Sequence, residues 1–121
     1  MIAPIFTVCA ASADVRVVLG DSPVRLYPFG QNPDAPVYPY AVWQNITGGP
    51  ENYLSGRPDA DGYTIQVDIY ADTADEVIAV ARALRDAIEP RAYITRWGEQ
   101  EQDSETKRYR YSFDVDWIVL R

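Results

Sequence analysis

The sequence predicts a single α+β domain over residues 1–121, with one long central helix and short N-terminal helices. Two neighbouring patterns lead to this fold class. Residues 63–70 alternate apolar and polar side chains with a period of two, which is typical of a strand buried on one face. Residues 77–88 then place apolar side chains at helical spacing, which predicts an amphipathic helix directly after that strand.

The central helix has local signals at both ends. Thr73, followed three residues later by Glu76, has the form of a capping box, in which each side chain reaches back to an unpaired backbone N–H. Pro90 cannot continue a helix and disfavours helical geometry at the residue before it, so Glu89 is predicted as the last helical position. The predicted apolar stripe consists of Val77, Val80, Ala81, Leu84 and Ile88.

Two short helices and a weak strand are predicted in the N-terminal third of the chain. Pro4 suits the first turn of a helix whose buried side comes from residues 5–9. Ser12 can cap a second short helix that ends at Gly20, although residues 15–19 fit a strand equally well. Residues 24–27 form a weak strand, and residues 28–39 form an exposed loop because their four prolines and one glycine preclude regular pairing.

A second strand and a long loop are predicted before the central strand. Residues 40–46 are apolar enough for a strand buried on much of both faces, and the run Gly48-Gly49-Pro50 is expected to stop it. Residues 48–61 then form a long loop, and such loops in compact domains are usually functional or mobile.

A β-hairpin is predicted in the C-terminal part of the chain. Residues 92–97 and 108–120 form its strands, and residues 98–107 form an exposed loop whose alternating acids lack the pattern of an EF-hand. Asp114 and Asp116 share one face of the last strand, where we expect them to protect a sheet edge from aggregation. The other face of that strand is predicted to carry Tyr109, Tyr111, Phe113, Val115, Trp117 and Val119.

The composition excludes several classes of function. Eleven basic and eighteen acidic residues give a net charge of −7, which argues against holding nucleic acid through many phosphate contacts. Without histidine and with the single Cys9, predicted to be buried, the chain has no catalytic triad, no Cys-His dyad and no usual zinc site. It also has no glycine-rich phosphate loop. We therefore expect no enzymatic activity and no cofactor.

Cellular location is constrained by what the sequence lacks. No stretch has the roughly 18 apolar residues of a membrane span, and the N-terminus has no basic segment of a secretory signal. We expect a soluble protein that folds in the cytoplasm and does not bind a membrane.

The aromatic residues divide into two predicted groups. Trp43, Trp97, Trp117 and Tyr63 lie at strand spacing and are expected to fill the core. Tyr38, Tyr40 and Tyr53 lie in or beside loops and are expected to make surface contacts, because tyrosine offers a large contact area at low entropic cost.

Four segments follow one another in a recognisable order. They are Pro39-Tyr40-Ala41-Val42-Trp43-Gln44, the glycine-rich loop that follows, Ile65-Gln66-Val67-Asp68-Ile69-Tyr70, and the Thr73 helix ending in Ala83-Leu84-Arg85-Asp86-Ala87-Ile88. This order resembles the tail-completion family of long-tailed bacteriophages, whose members are also called tail terminators or tail-to-head joining proteins. The closing hairpin extends the resemblance from residues 1–90 to nearly the whole chain.

The resemblance implies a mixed, mostly antiparallel sheet with the long central helix and the short N-terminal helices packed on it. It also implies a virion protein that is assembled in the bacterial cytoplasm and located at the head-proximal end of the tail. It implies a homo-oligomeric ring, commonly of six, that stops polymerisation of the major tail tube protein and joins the tail to the head-completion or connector protein. DNA would pass through its lumen without specific binding, which the net charge of −7 suits. The candidate assembly residues are Tyr38, Tyr40, Tyr53, Leu54, Arg57, Arg82, Arg85, Glu99, Glu101, Lys107 and Arg108.

Two other classes of protein fit the same patterns. One is another ring component of the virion, such as a head-completion or tail-tube protein. The other is a small host α+β domain with a binding or enzymatic role, which would require a deep polar pocket.

Overall fold

The computed structural model describes residues 3–52 and 56–121. Its strands form one five-stranded sheet in the order β1-β2-β3-β5-β4. β1 and β2 are parallel, and the other neighbouring pairs are antiparallel, so the predicted fold class is confirmed. The elements are α1 (Ile5–Ala10), α2 (Ala13–Leu19), β1 (Leu26–Pro28), β2 (Tyr40–Pro50), β3 (Ala60–Ala71), α3 (Ala74–Ile88), β4 (Tyr93–Gln102) and β5 (Tyr109–Leu120).

The central helix α3 covers one face of the sheet. All five residues of the predicted apolar stripe are buried, and α3 packs across β3 and β5. The Thr73 hydroxyl accepts from the Glu76 N–H over 3.1 Å, as predicted. The Glu76 carboxylate accepts from that same hydroxyl over 3.2 Å, and this contact replaces the predicted one to the Thr73 N–H. Ala83, on a neighbouring side of α3, is buried as well, and α1 and α2 pack against α3.

The N-terminal residues form helices. The Ser12 hydroxyl accepts from the Val15 N–H over 3.3 Å at the start of α2, and Gly20 ends that helix with a φ of 79°, so the alternative of a strand over residues 15–19 is excluded. Cys9 is fully buried in the core, as predicted, and burial raises the pKa of its thiol to about 12. Within the described ranges, no helix is both long and apolar enough to span a membrane.

β2 is longer than predicted. The expectation that Gly48-Gly49-Pro50 would stop it is wrong, because Gly48 pairs with Tyr63, Gly49 with Gly62, and Pro50 with Asp61. A Cβ atom on Gly48 would lie 2.8 Å from the Tyr63 ring, so glycine lets the strands approach here. Pro50 is tolerated in β2 because β1 pairs only with residues 41–43, so the rest of β2 is an edge of the sheet and Pro50 needs no N–H there. The loop between β2 and β3 is therefore shorter than the loop predicted over residues 48–61.

β4 is also longer than predicted. It runs to Gln102, so the expectation of a loop over residues 98–107 is wrong for Glu99 and Glu101. Their charge does not prevent a strand, because β4 is the exposed edge of the sheet and both side chains lie in solvent. The edge role predicted for Asp114 and Asp116 is wrong in turn, since β5 lies inside the sheet between β3 and β4.

Two aromatic predictions are corrected. Trp97 belongs to the edge strand β4 and is 43% exposed, although a core position was expected. Tyr40, expected at the surface, is only 8% exposed because other tyrosines cover it. Trp43 and Trp117 are buried as predicted, and Tyr63 packs against the core.

Candidate functional site

The helices leave one face of the sheet uncovered, and we call it the open face. Along each strand, alternate side chains point to opposite faces, so the residues between the buried positions of β2, β3 and β5 lie on the open face. Three of its cross-strand rows are Tyr40–Tyr70–Arg110–Glu101, then Gln44–Gln66–Asp114–Arg96, then Thr47–Thr64–Asp116–Tyr93.

Four tyrosines cluster at the end of the open face nearest the β4–β5 turn. The rings of Tyr40 and Tyr70 are stacked with centroids 5.0 Å apart. Tyr38 meets Tyr40 edge-on at 5.2 Å, and Tyr27 lies at 6.4 Å. Burial raises the pKa of the Tyr40 phenol to about 12. Because these rings come from β1, β2, β3 and the segment before β2, the cluster joins several parts of the chain.

Arg108 closes one side of the tyrosine cluster. Its guanidinium carbon lies 4.1 Å from the centre of the Tyr38 ring, a cation–π contact, and its Nη1 donates to the Tyr38 hydroxyl over 3.3 Å. Its Nε donates to Asp72 over 3.1 Å, and that hydrogen bond raises the pKa of Arg108. The cation is therefore fixed in place beside the aromatic rings.

Arg110 connects three strands beside the same cluster. Its Nη2 donates to Asp68 on β3 over 2.9 Å, and its Nη1 donates to Glu101 on β4 over 3.1 Å. Gln66 donates to the same Asp68 oxygen over 3.1 Å, so this nearly buried carboxylate is well satisfied. The network holds the edge strand β4 in register with the rest of the sheet.

The β4–β5 turn is held by its own hydrogen bonds. Asp103 Oδ1 accepts from the N–H groups of Thr106 and Glu105 over 2.9 and 2.8 Å, and these bonds lower the pKa of the Asp103 carboxyl. Lys107 has a φ of 61°, the left-handed conformation that reverses the chain. The turn thus presents its charged side chains from a defined backbone.

Between the tyrosine cluster and the turn lies a groove of about 340 Å³. Its walls are phenol rings, arginines with carboxylate partners, and the Thr106 hydroxyl, a set suited to binding a partner surface by stacking and hydrogen bonds. Among the described residues, no group of three or more histidine, cysteine or acidic side chains is arranged to hold a metal ion.

The opposite end of the sheet has different chemistry. Arg121 donates to both carboxylate oxygens of Asp61, over 2.9 and 3.2 Å, and its Nη1 donates to the Pro58 carbonyl over 3.2 Å. These hydrogen bonds lower the pKa of the Asp61 carboxyl. Arg57 lines a shallow groove beside this pair.

The structure brings some of the eleven candidate residues together and separates the others. Tyr38, Tyr40, Glu101 and Arg108 line the groove beside the tyrosine cluster, and Lys107 lies on the adjoining turn. Glu99 projects from the edge strand, and Arg57 lies at the far end of the sheet. Arg82 and Arg85 line a groove between α3 and β4, next to Trp97. Tyr53 and Leu54 lie outside the described residues.

Several residues beside the tyrosine cluster could not be assigned to it from the sequence. Tyr70, Asp72, Asp68 and Arg110 join it only through the pairing of β3 with β2 and β5. A usable signal exists for Asp68 and Tyr70, since both occupy the polar side of the alternating strand and must lie on one face. Their partners cannot be assigned without the register.

Comparison with known proteins agrees with this architecture. The family model for tail completion protein gp17 matches residues 3–120. A chain from the virion of a native gene transfer agent (GTA) particle has a similar fold, with a TM-score of 0.68 at 11% identity, covering 97% of this chain and 92% of that chain. No curated protein sequence matches this chain. Since the family match spans nearly all of the sequence, the chain belongs to the tail completion protein gp17 family, and it is a structural protein of a phage tail.

Proposed function

We propose that six copies of this chain close into a ring at the head-proximal end of the tail, where the ring ends polymerisation of the tail tube and joins the tail to the head connector. Membership of the tail completion family supports this role. The mechanism requires subunit contacts whose rotation closes a ring, together with two axial faces that bind different proteins.

The observation that carries the proposal is the chemical difference between the two ends of the sheet. One end carries the tyrosine cluster, Arg108 and the charged β4–β5 turn. The other carries the Gly48-Gly49-Pro50 segment and the Arg121–Asp61 pair. A joining ring meets one protein above and another below, so a subunit with two unlike ends suits it.

This role needs no covalent step, and we infer that the protein is not an enzyme. The chain contains no histidine, and its one cysteine is fully buried. The net charge of −7 favours passage of DNA without specific binding, because acidic walls repel phosphates.

The test is electron microscopy of particles made by a phage from which this gene is deleted. We expect tails of abnormal length without heads, and normal particles when the gene is supplied in trans. Tails of normal length attached to heads would contradict the proposal. Defective heads beside normal tails would instead assign the protein to head completion.

Copy number separates the ring from a tube component. Quantitative mass spectrometry of purified tails is expected to find about six copies per tail if the protein forms one terminal ring. A copy number that increases with tail length would assign the protein to the tube.

A further inference from the structure

The groove of about 340 Å³ between the tyrosine cluster and the β4–β5 turn has two unlike walls, and we call it the tyrosine groove. One wall consists of phenol rings and the other carries side-chain oxygens: Tyr38, Tyr40 and Tyr70, then Glu101, Asp103 and Thr106. The rings are partly or wholly shielded from water, whereas the oxygens are exposed. Such a pair of walls suits a long side chain that has an apolar stem and a polar head.

The two arginines of the tyrosine groove already have partners within the chain. Arg108 donates to Asp72 over 3.1 Å. Arg110 donates to Asp68 over 2.9 Å and to Glu101 over 3.1 Å. Each cation is thus held by at least one carboxylate, and the two networks together contain one more acid than base. The groove therefore offers no excess positive charge to an incoming anion.

Two carboxylate oxygens of the groove remain unfilled. Glu101 accepts from Arg110 through Oε2, and its Oε1 accepts no hydrogen bond from the described residues. Asp103 accepts both turn N–H groups through Oδ1, and its Oδ2 likewise has no donor in the described part of the chain. Both side chains are exposed, so a donor from another molecule can replace the water that solvates them.

The β4–β5 turn adds to the negative charge. Asp103 and Glu105 form no ion pair within the described ranges, and Lys107 offsets one of the two charges. One excess acid in the arginine networks and one on the turn give the groove and its rim a net charge of −2.

The surroundings of the groove do not restore neutrality. Asp75 and Glu76 lie in the first turn of α3, shortly after Asp72. Arg25 is a cation at this end of the sheet, but it donates to the Pro39 carbonyl over 2.8 Å and does not line the groove. The tyrosine groove is therefore an acidic site with aromatic walls.

This charge restricts the occupant. Nucleic acid is repelled, because its phosphates carry the same sign of charge. A second copy of this chain has a net charge of −7 and is disfavoured at this groove for the same reason. A protein segment with local positive charge is complementary to it, and complementary charges raise both specificity and the rate of association.

We propose that the tyrosine groove binds an arginine side chain from a basic segment of a different virion protein, one of the two that the proposed ring joins. Its methylene stem lies against the phenol rings, and its guanidinium donates to the carboxylates of Glu101 and Asp103. Arginine suits the site better than lysine, because its planar head has five N–H donors and stacks on aromatic rings, as Arg108 does on Tyr38. This contact deepens the proposed joining role and rests on it.

The first test measures binding of a capped glycine peptide that contains two arginines. The control peptide has citrulline in place of each arginine, which keeps the shape of the side chain and removes its charge. In amide NMR spectra of the purified protein, the arginine peptide should shift the signals of residues 103–108, and the citrulline peptide should not. Equal shifts with both peptides, or none with either, would overturn the proposal.

Two matched double variants locate the site. Asp103→Asn with Glu105→Gln removes two charges at the groove and should weaken binding of the arginine peptide by about two- to fivefold. An asparagine oxygen at position 103 can still accept the turn N–H groups, so the turn is kept. Asp59→Asn with Asp116→Asn removes two exposed charges at the other end of the sheet and should leave binding unchanged. Equal binding by both double variants would overturn the site.

Assembled particles identify the partner. Thr106 lines the groove and is exposed, so it can be replaced by the photoreactive residue benzoylphenylalanine. In purified particles this residue should cross-link to a different virion protein, within a segment that contains arginine, and Asp103→Asn with Glu105→Gln should lower the yield. Cross-links confined to other copies of this chain, or to segments without arginine, would overturn the proposal.

Deletion of the gene separates failure of this contact from failure of the joining role. If heads and tails need the gene to join, but no cross-link from position 106 reaches another protein, the contact is overturned and the joining role stands. If heads and tails join normally without the gene, both are overturned.

Discussion

The Arg110 guanidinium donates to the Asp68 carboxylate over 2.9 Å on a sheet face that no helix covers. The Asp68 side chain is only 12% exposed there, so its charge depends on this partner more than a surface charge would. The same guanidinium holds Glu101, and the two contacts link β3, β5 and β4.

We therefore expect Arg110→Met to destabilise the protein. Loss of the cation leaves a largely buried carboxylate with Gln66 as its remaining side-chain donor, and the Arg110 side chain is 36% exposed, so roughly 1–2 kcal/mol is expected. Urea unfolding measures the free energy. In an Asp68→Asn background the same change should cost clearly less, and equal costs in both backgrounds would show that the pair contributes nothing.

Leu84→Ala should have a larger effect on stability. Leu84 is fully buried between α3 and the sheet, so its truncation leaves a partial cavity and should cost roughly 2–5 kcal/mol. Ile78→Ala is the matched control on the same helix, because Ile78 is 36% exposed. Thermal and urea unfolding of both variants decide the matter, and similar losses would mean that α3 packs differently.

Alkaline pH should unfold the protein partly through Tyr40. Burial raises the pKa of this phenol to about 12, while in the unfolded chain it ionises near its ordinary value of about 10. Its stabilising contribution is therefore complete below about pH 10 and is lost as pH rises through about 12.

Tyr40→Phe should reduce this loss of stability. The measurement is the free energy of urea unfolding at several pH values above about 9, in a Cys9→Ala background, because burial also raises the pKa of the Cys9 thiol to about 12. Identical pH profiles with Tyr and Phe at position 40 would contradict the prediction.

Acidic pH should lower the stability of the folded protein partly through Asp61, whereas Tyr40 acts at alkaline pH. The hydrogen bonds from Arg121 hold the pKa of the Asp61 carboxyl below its usual value. The stabilising contribution is present above the unfolded pKa of about 3.9 and is lost as pH falls through the lower folded value. NMR titration of the carboxyl carbon should show the lowered pKa, and Arg121→Gln should raise it. Lys107→Gln, which removes a positive charge at the other end of the sheet, should leave it unchanged.

Local signals were sufficient for α1, for α3 and for the existence of every strand, but they left residues 15–19 open between a helix and a strand. The Thr73 cap and the apolar stripe predict α3 because both depend on residues within a few positions of each other. The burial of Tyr40 depends on stacking with Tyr70, thirty residues later, and no local pattern contains that register. The same limit hides the interior position of β5.

Strand ends were predicted less well because tertiary pairing overrides local preference. Gly48-Gly49-Pro50 has the composition of a turn, yet β3 supplies partners for all three residues. The exposure of the apolar side chains of Tyr93, Ile118 and Leu120 also escaped prediction. Ile118 follows Asp116 on the polar side of β5, and a sequence pattern cannot tell which end of a face carries a partner.

The interior position of β5 has a consequence for protein synthesis. β5 is the last strand in the sequence, yet it lies between β3 and β4 and pairs with both. Within the described sheet, β4 lies at the edge and has β5 as its one neighbour. A nascent chain that has not released Tyr109–Leu120 therefore has an unpaired β3 edge and no ordered β4, and we expect proteases to cleave such ribosome-bound chains within residues 93–102. Release of Tyr109–Leu120 should therefore protect residues 93–102, because β5 then pairs with both β3 and β4.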